Sequence, residues 1–133
     1  MDRSVRQLVR DRADHRCEYC HLPQAAAPAV TFQVEHIRAR QHDGDDEPDN
    51  LALACPDCNR HKGPNLTGVD PETQLVTPLF NPRTQNWDEH FEFAAAVIVG
   101  SSPVGRATVR TLRMNIEDRV RMREALLLNG ELS

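Results

Sequence analysis

The stretch Val30-Thr31-Phe32-Gln33-Val34-Glu35-His36-Ile37, resumed after a polar loop by Asp49-Asn50-Leu51-Ala52-Leu53-Ala54-Cys55-Pro56-Asp57-Cys58-Asn59-Arg60-His61-Lys62-Gly63, decides the fold. Val30, Phe32 and Val34 alternate with polar residues, which predicts a half-buried strand. On that reading Glu35 shares the opposite face with Thr31 and Gln33, and His36 stands at the strand's exit. Neighbours on a regular strand point to opposite sides, so Glu35 and His36 face one site only if the strand ends or bulges there. Residues 38 to 49 are polar and contain Gly44 and Pro48, which predicts a loop. Leu51 to Ala54 predicts a second short strand, and the chain beyond Cys55 a short helix carrying Asn59 and Lys62.

Cysteine occurs only as two pairs, Cys17-x-x-Cys20 and Cys55-x-x-Cys58. Each pair offers two thiolates to one tetrahedral ion, so the four predict a zinc site. Four thiolates leave no open coordination position, which makes that zinc structural. The competing readings are two disulfides, which need an oxidising compartment, and a thioredoxin-like redox pair, which lacks its βαβ context. The 34 residues between the pairs mean that the ion ties a long loop. His21, just after Cys20, is a competing ligand but reads better as a surface residue.

Working outward, the 133 residues fit one domain or a small catalytic core with an extension. Aromatic content of 5% and a mean hydropathy of -0.58 indicate a modest core, for which a metal staple compensates. No apolar run reaches the roughly 18 residues of a membrane span, and the first residues lack a secretory signal's apolar stretch. The expectation is a cytoplasmic protein with reduced thiols. The net charge of -4 argues mildly against a nucleic-acid partner. Against this, Lys62 is the only lysine among sixteen basic residues, and arginine forks onto phosphate. A general compositional preference for arginine explains the same count.

Ser4 is the expected cap of a first helix, with Val5, Leu8 and Val9 inward and its arginines on a solvated face. Downstream, Leu75-Val76 reads as a short strand and Phe91 to Val99 as one or two strands ending at Gly100. Ser102-Pro103 is a cap-plus-proline helix start, and Asn115 the expected cap of a last helix stopped by Asn129-Gly130. Asp43-Gly44-Asp45-Asp46-Glu47 lacks the ligand spacing of a calcium loop and reads as solvated. Trp87 reads as core; His42 and His90 carry no assigned role.

Hydrolysis of a phosphodiester needs an activated water and a cation for the leaving oxygen. Histidine suits the first at neutral pH, and oxygen ligands on a hard divalent ion suit the second. His36 offers the base, and Glu35 and Asn59 offer the oxygens.

Glu35-His36-Ile37, Asp49-Asn50-Leu51 and Cys58-Asn59-Arg60-His61-Lys62-Gly63, framed by the two cysteine pairs, resemble the HNH endonucleases of the zinc-bearing four-cysteine subtype. The resemblance is dense from Cys17 to Gly63; residues 66 to 115 are less specifically similar. It implies an α+β fold: a small ββα-metal (His-Me finger) core stapled by a four-cysteine zinc site, preceded by a helix and followed by a strand-plus-two-helix extension. The implied division is 1–66 for helix and nuclease core and 67–133 for an extension packed on it. His36 would be the general base, and Asn50 would brace the loop that holds it. Asn59 and Glu35 would hold a catalytic Mg²⁺ or Mn²⁺, with His61 as a fallback ligand. Glu35 stands where many members carry aspartate. Arg60 and Lys62 would contact phosphate. The implied activity is DNA hydrolysis to 5′ phosphate and 3′ hydroxyl ends by a monomer or weak dimer. The alternatives are a zinc-stapled nucleic-acid-binding module that does not cut, and a toxin or defence component that needs a partner.

Overall fold

The computed structural model describes residues 1–132. Helix α1 (Arg3–Arg12) leads into the first cysteine pair. Strands β1 (Gln33–His36) and β2 (Leu51–Ala54) form an antiparallel hairpin, and helix α2 (Pro56–Lys62) follows at once. This is the expected ββα order. Two further antiparallel hairpins come next, β3 (Thr67–Val69) with β4 (Val76–Pro78) and β5 (Phe91–Ala94) with β6 (Val97–Gly100). Helices α3 (Pro103–Thr111) and α4 (Glu117–Leu128) complete an α+β chain.

Two expected caps are displaced. Asp2, not Ser4, caps α1: its carboxylate accepts from the Val5 amide at 2.9 Å, and Ser4 lies within the helix. An N-terminal aspartate also favours the helix dipole. Asn115 does not cap α4; its side chain instead holds both backbone groups of Ile98. Ser102 caps α3 as expected, accepting from the Gly105 amide at 3.0 Å behind Pro103.

The arginines of α1 are not simply a solvated face. Arg10 donates to the Phe32 carbonyl, and Arg12 to the carbonyls of Pro48 and Leu51. They tie α1 across the hairpin, while Val9 enters the core and Leu8 stays exposed. The core is continuous from Val9, Tyr19 and Phe32 to Phe80, Phe91 and Met114, with all four cysteines inside it. Phe80 meets Tyr19 edge-on at 6.5 Å, and the Trp87 indole N–H donates to the Tyr19 carbonyl. Trp87 also stacks on His21 at 4.0 Å, so His21 is packed beside the cysteines rather than ligating with them.

The strand begins later than the alternation predicts. Val30 is exposed and Phe32 is buried just ahead of β1. The pairing then runs without a bulge, Glu35 opposite Ala52 and His36 opposite Leu51. Glu35 therefore points inward and His36 outward.

Candidate active site and metal centre

The four thiol groups converge in the core. Their sulfurs lie within 4.8 Å of one another, all on buried residues. Zinc–sulfur bonds of about 2.3 Å at tetrahedral angles put sulfurs about 3.8 Å apart. Cys20 and Cys55 stand at 3.7 Å. A disulfide holds its sulfurs at about 2.05 Å, so the spacing fits a shared ion. Local structure sets this up twice: the Cys20 amide donates to Cys17 Sγ at 3.5 Å, and the Cys58 amide to Cys55 Sγ at 3.4 Å. Cys55 is thus the N-cap of α2, ahead of Pro56. Burial pushes the Cys17 and Cys58 thiols up, while hydrogen bonds from Cys17, Cys55 and Cys58 pull Cys20 down, so a cation is what would favour all four as thiolates.

One residue beyond Cys58 the chemistry changes. Asn59 faces an open cleft of about 420 Å³ lined also by Glu35, His36 and Arg40. Among the described residues its side-chain amide has no hydrogen-bond partner. Helix α2 ends at Gly63, whose φ of 50° suits glycine and whose amide closes on the Asn59 carbonyl at 3.0 Å.

His36 lies on the cleft wall with 21% of its side chain exposed. Its Nε2 is 2.7 Å from Asp46 Oδ1. Arg40 grips both oxygens of Asp46, at 2.9 and 3.0 Å. Hydrogen bonds from His36 and then Arg40 hold the Asp46 carboxyl below the usual range. An ionised carboxylate only accepts, so Nε2 donates and the lone pair stays on Nδ1. Nothing in the acidic run 43–47 distinguishes Asp46 by sequence; sequence reasoning missed it.

Asn50 spans the same loop. Its side-chain oxygen accepts from the Arg38 amide at 2.9 Å, and its nitrogen donates to the carbonyls of Arg38 and Asp45. Its own carbonyl receives the Ile37 amide at 2.8 Å. Gly44 allows the tight return: a Cβ there would sit 1.7 Å from the Arg38 carbonyl oxygen.

Glu35 is 7% exposed and its carboxylate is held from both sides. The Tyr19 hydroxyl donates to one oxygen, and Lys62 Nζ lies 3.1 Å from the other. Burial is the largest influence and pushes the Glu35 carboxyl up, opposed by Lys62 and Tyr19. Lys62 also donates to the carbonyls of His36 and Ile37 and is 2% exposed. The expected phosphate contact at Lys62 is therefore corrected: its ammonium is an interior tie between α2 and the end of β1. Lys62→Met leaves a buried carboxylate without its cation and is expected to cost about 3–5 kcal/mol. Urea unfolding of the zinc-loaded protein measures this, and a loss below about 1 kcal/mol contradicts the interior role.

His61 and Arg60 do not join the cleft. Residues two apart on a helix are about 200° apart, so His61 turns away from Asn59. Its Nε2 is buried and unpartnered, and burial, then the guanidiniums of Arg60, Arg113 and Arg119, depress its pKa. Arg60 is exposed and paired with Asp57 at 2.9 Å.

Comparison with known proteins gives one match. The family model described as HNH endonuclease matches residues 17–65. No curated protein and no solved structure matches the chain. The matched segment holds the four-cysteine cluster, the β1–β2–α2 unit and the cleft. Residues 17–65 thus match the HNH endonuclease family model and hold four cysteines positioned to form a metal site.

Proposed function

We propose that this protein is a metal-dependent endonuclease that hydrolyses DNA phosphodiester bonds in the cleft between β1 and α2. The observation that carries this reading is the pairing of an oriented histidine, His36, with an unpartnered amide, Asn59, on one open wall. His36 Nδ1 takes a proton from water, whose oxygen bonds to phosphorus as the bond to the 3′ oxygen breaks. The departing 3′ oxygen takes a proton from solvent water, so the products are a 5′ phosphate and a 3′ hydroxyl. Asp46 fixes the histidine's tautomer, and Asn50 fixes the loop that carries both. Arg60, and Arg40 at the cleft wall, attract the phosphate backbone.

The Asn59 amide oxygen is the donor that faces the cleft; Glu35 also lines it, with its carboxylate turned inward to Tyr19 and Lys62. Few protein oxygens suit a hard divalent ion that keeps much of its water, as Mg²⁺ does. When bound, Mg²⁺ or Mn²⁺ neutralises charge on the phosphate and eases departure of the 3′ oxygen. The division into a nuclease core over 1–66 and an extension over 67–133 belongs to the same proposal, and the Tyr19–Phe80 and Tyr19–Trp87 contacts support close packing of the two.

A second reading has one observation in its favour. With Glu35 committed to Tyr19 and Lys62, the cleft presents no free carboxylate among the described residues, as in a module that binds nucleic acid without cutting. Supercoiled plasmid separates the two. The endonuclease reading expects nicked circles with Mg²⁺ or Mn²⁺ and none without, and a rate on the order of tenfold lower for Asp46→Asn. DNA that is retained in a binding assay but left uncut in every divalent metal establishes the second reading instead.

A further inference from the structure

Helix α4 has no apolar stripe. The side chains it buries are Arg119, Arg123 and Leu126, at i, i+4 and i+7. Two inward guanidiniums are costly unless anions meet them. Arg123 donates to the carbonyls of Ala96 and Met114 and to the Asn115 side chain, all uncharged acceptors. Arg119 reaches the thiol cluster: Nη2 is 3.0 Å from Cys58 Sγ and 3.8 Å from Cys55 Sγ. Its Nη1 is fixed by the carbonyls of Leu112 and Arg113, beyond the end of α3. Among the described residues the carboxylate that comes within reach, Asp57, is 4.0 Å from Nε and partly exposed.

A divalent ion held by four thiolates carries two net negative charges in a dry core. Such a centre needs hydrogen-bond donors and cations around it. We propose that Arg119 is the outer partner of this centre, its guanidinium hydrogen-bonding the Cys58 thiolate and offsetting part of the centre's negative charge. Arg123, one turn on, adds a second buried cation to the same face. The metal's affinity then depends on a helix that lies some 60 residues beyond the last cysteine, outside the matched domain. The C-terminal helix is part of the metal centre rather than an appendage. This holds whether or not the cleft cuts DNA.

The test uses the full zinc-loaded chain with Arg119→Gln, Arg119→Lys and, as a control on the exposed side of α4, Arg121→Gln. Zinc affinity is read by competition with a chromogenic chelator. The sulfur-to-metal charge-transfer band of the cobalt-substituted protein reads the hydrogen bond itself. Arg119→Gln is expected to bind zinc about 10–100-fold more weakly and to shift the band, with Arg119→Lys intermediate and Arg121→Gln within about twofold of wild type. Should Arg119→Gln not fold, Arg119→Lys decides the matter by the same two readouts. Zinc affinity within about twofold of wild type and an unmoved band, in the Gln variant or failing that the Lys variant, overturns the proposal.

Discussion

Cys58→Ser, or stripping the metal with a strong chelator under reducing conditions, is expected to abolish the cooperative thermal transition. The four cysteines are not a peripheral clip. They lie in one continuous cluster with Val9, Tyr19, Leu53 and Phe80. Cys55 also begins α2, so losing the ion frees the helix start that places Asn59. Structural zinc contributes about 10–16 kcal/mol in small zinc-folded peptides, while whole domains are stable by only about 5–15 kcal/mol. The metal term therefore exceeds anything else removable by one change. Circular dichroism melts paired with zinc content by mass spectrometry measure it. An apo protein that still melts cooperatively near the holo temperature contradicts the assignment.

The second large effect concerns rate rather than stability. His36→Ala is expected to lower plasmid nicking by about 10²- to 10⁴-fold, the usual contribution of a general base. The fold should hardly notice. Among the described residues the His36 side chain makes one polar contact, to Asp46, whose carboxylate is partly exposed and keeps Arg40 as a partner. Solvent screens such a rim contact, so its loss costs the fold little. Nicking rates and melting temperatures of the two zinc-loaded proteins, taken side by side, provide the check. A rate within tenfold of wild type removes His36 from the chemistry, whereas a collapsed melting temperature gives it a structural role.

How much of this was legible in the sequence follows from how local each feature is. The cysteine pairs and their fitness to share an ion are readable because two thiols three residues apart are a complete local unit. The order of His36, Asn50 and Asn59 is readable because each sits at the end or start of a short element with its own turn chemistry. The inward turn of Glu35 was not legible. Phe32 is buried from just ahead of β1, so alternation counted from Val30 places the strand too early. What selects the inner face is Tyr19, sixteen residues earlier, and Lys62, twenty-seven later. Lys62 itself lies on a seven-residue helix, too short to display a hydrophobic stripe. Asp46 is one acid within an acidic loop, singled out only by the closure of that loop onto His36. Arg119 and Arg123 have the i, i+4 spacing of a solvated charged face, and only the thiol cluster reveals that they point inward.

The proposed function divides the labour: a buried thiolate centre would hold the geometry, and an exchangeable divalent ion at the neighbouring cleft would serve the reaction. One preparation tests it. Zinc-loaded protein is passed through a weak chelator that removes Mg²⁺ and Mn²⁺ but not thiolate-bound zinc, then assayed for nicking before and after Mn²⁺ is restored. The expected result is that nicking stops and returns with Mn²⁺, while zinc content and the thermal melt stay constant throughout. Nicking that persists without the second metal, or that tracks zinc content alone, contradicts this division of labour.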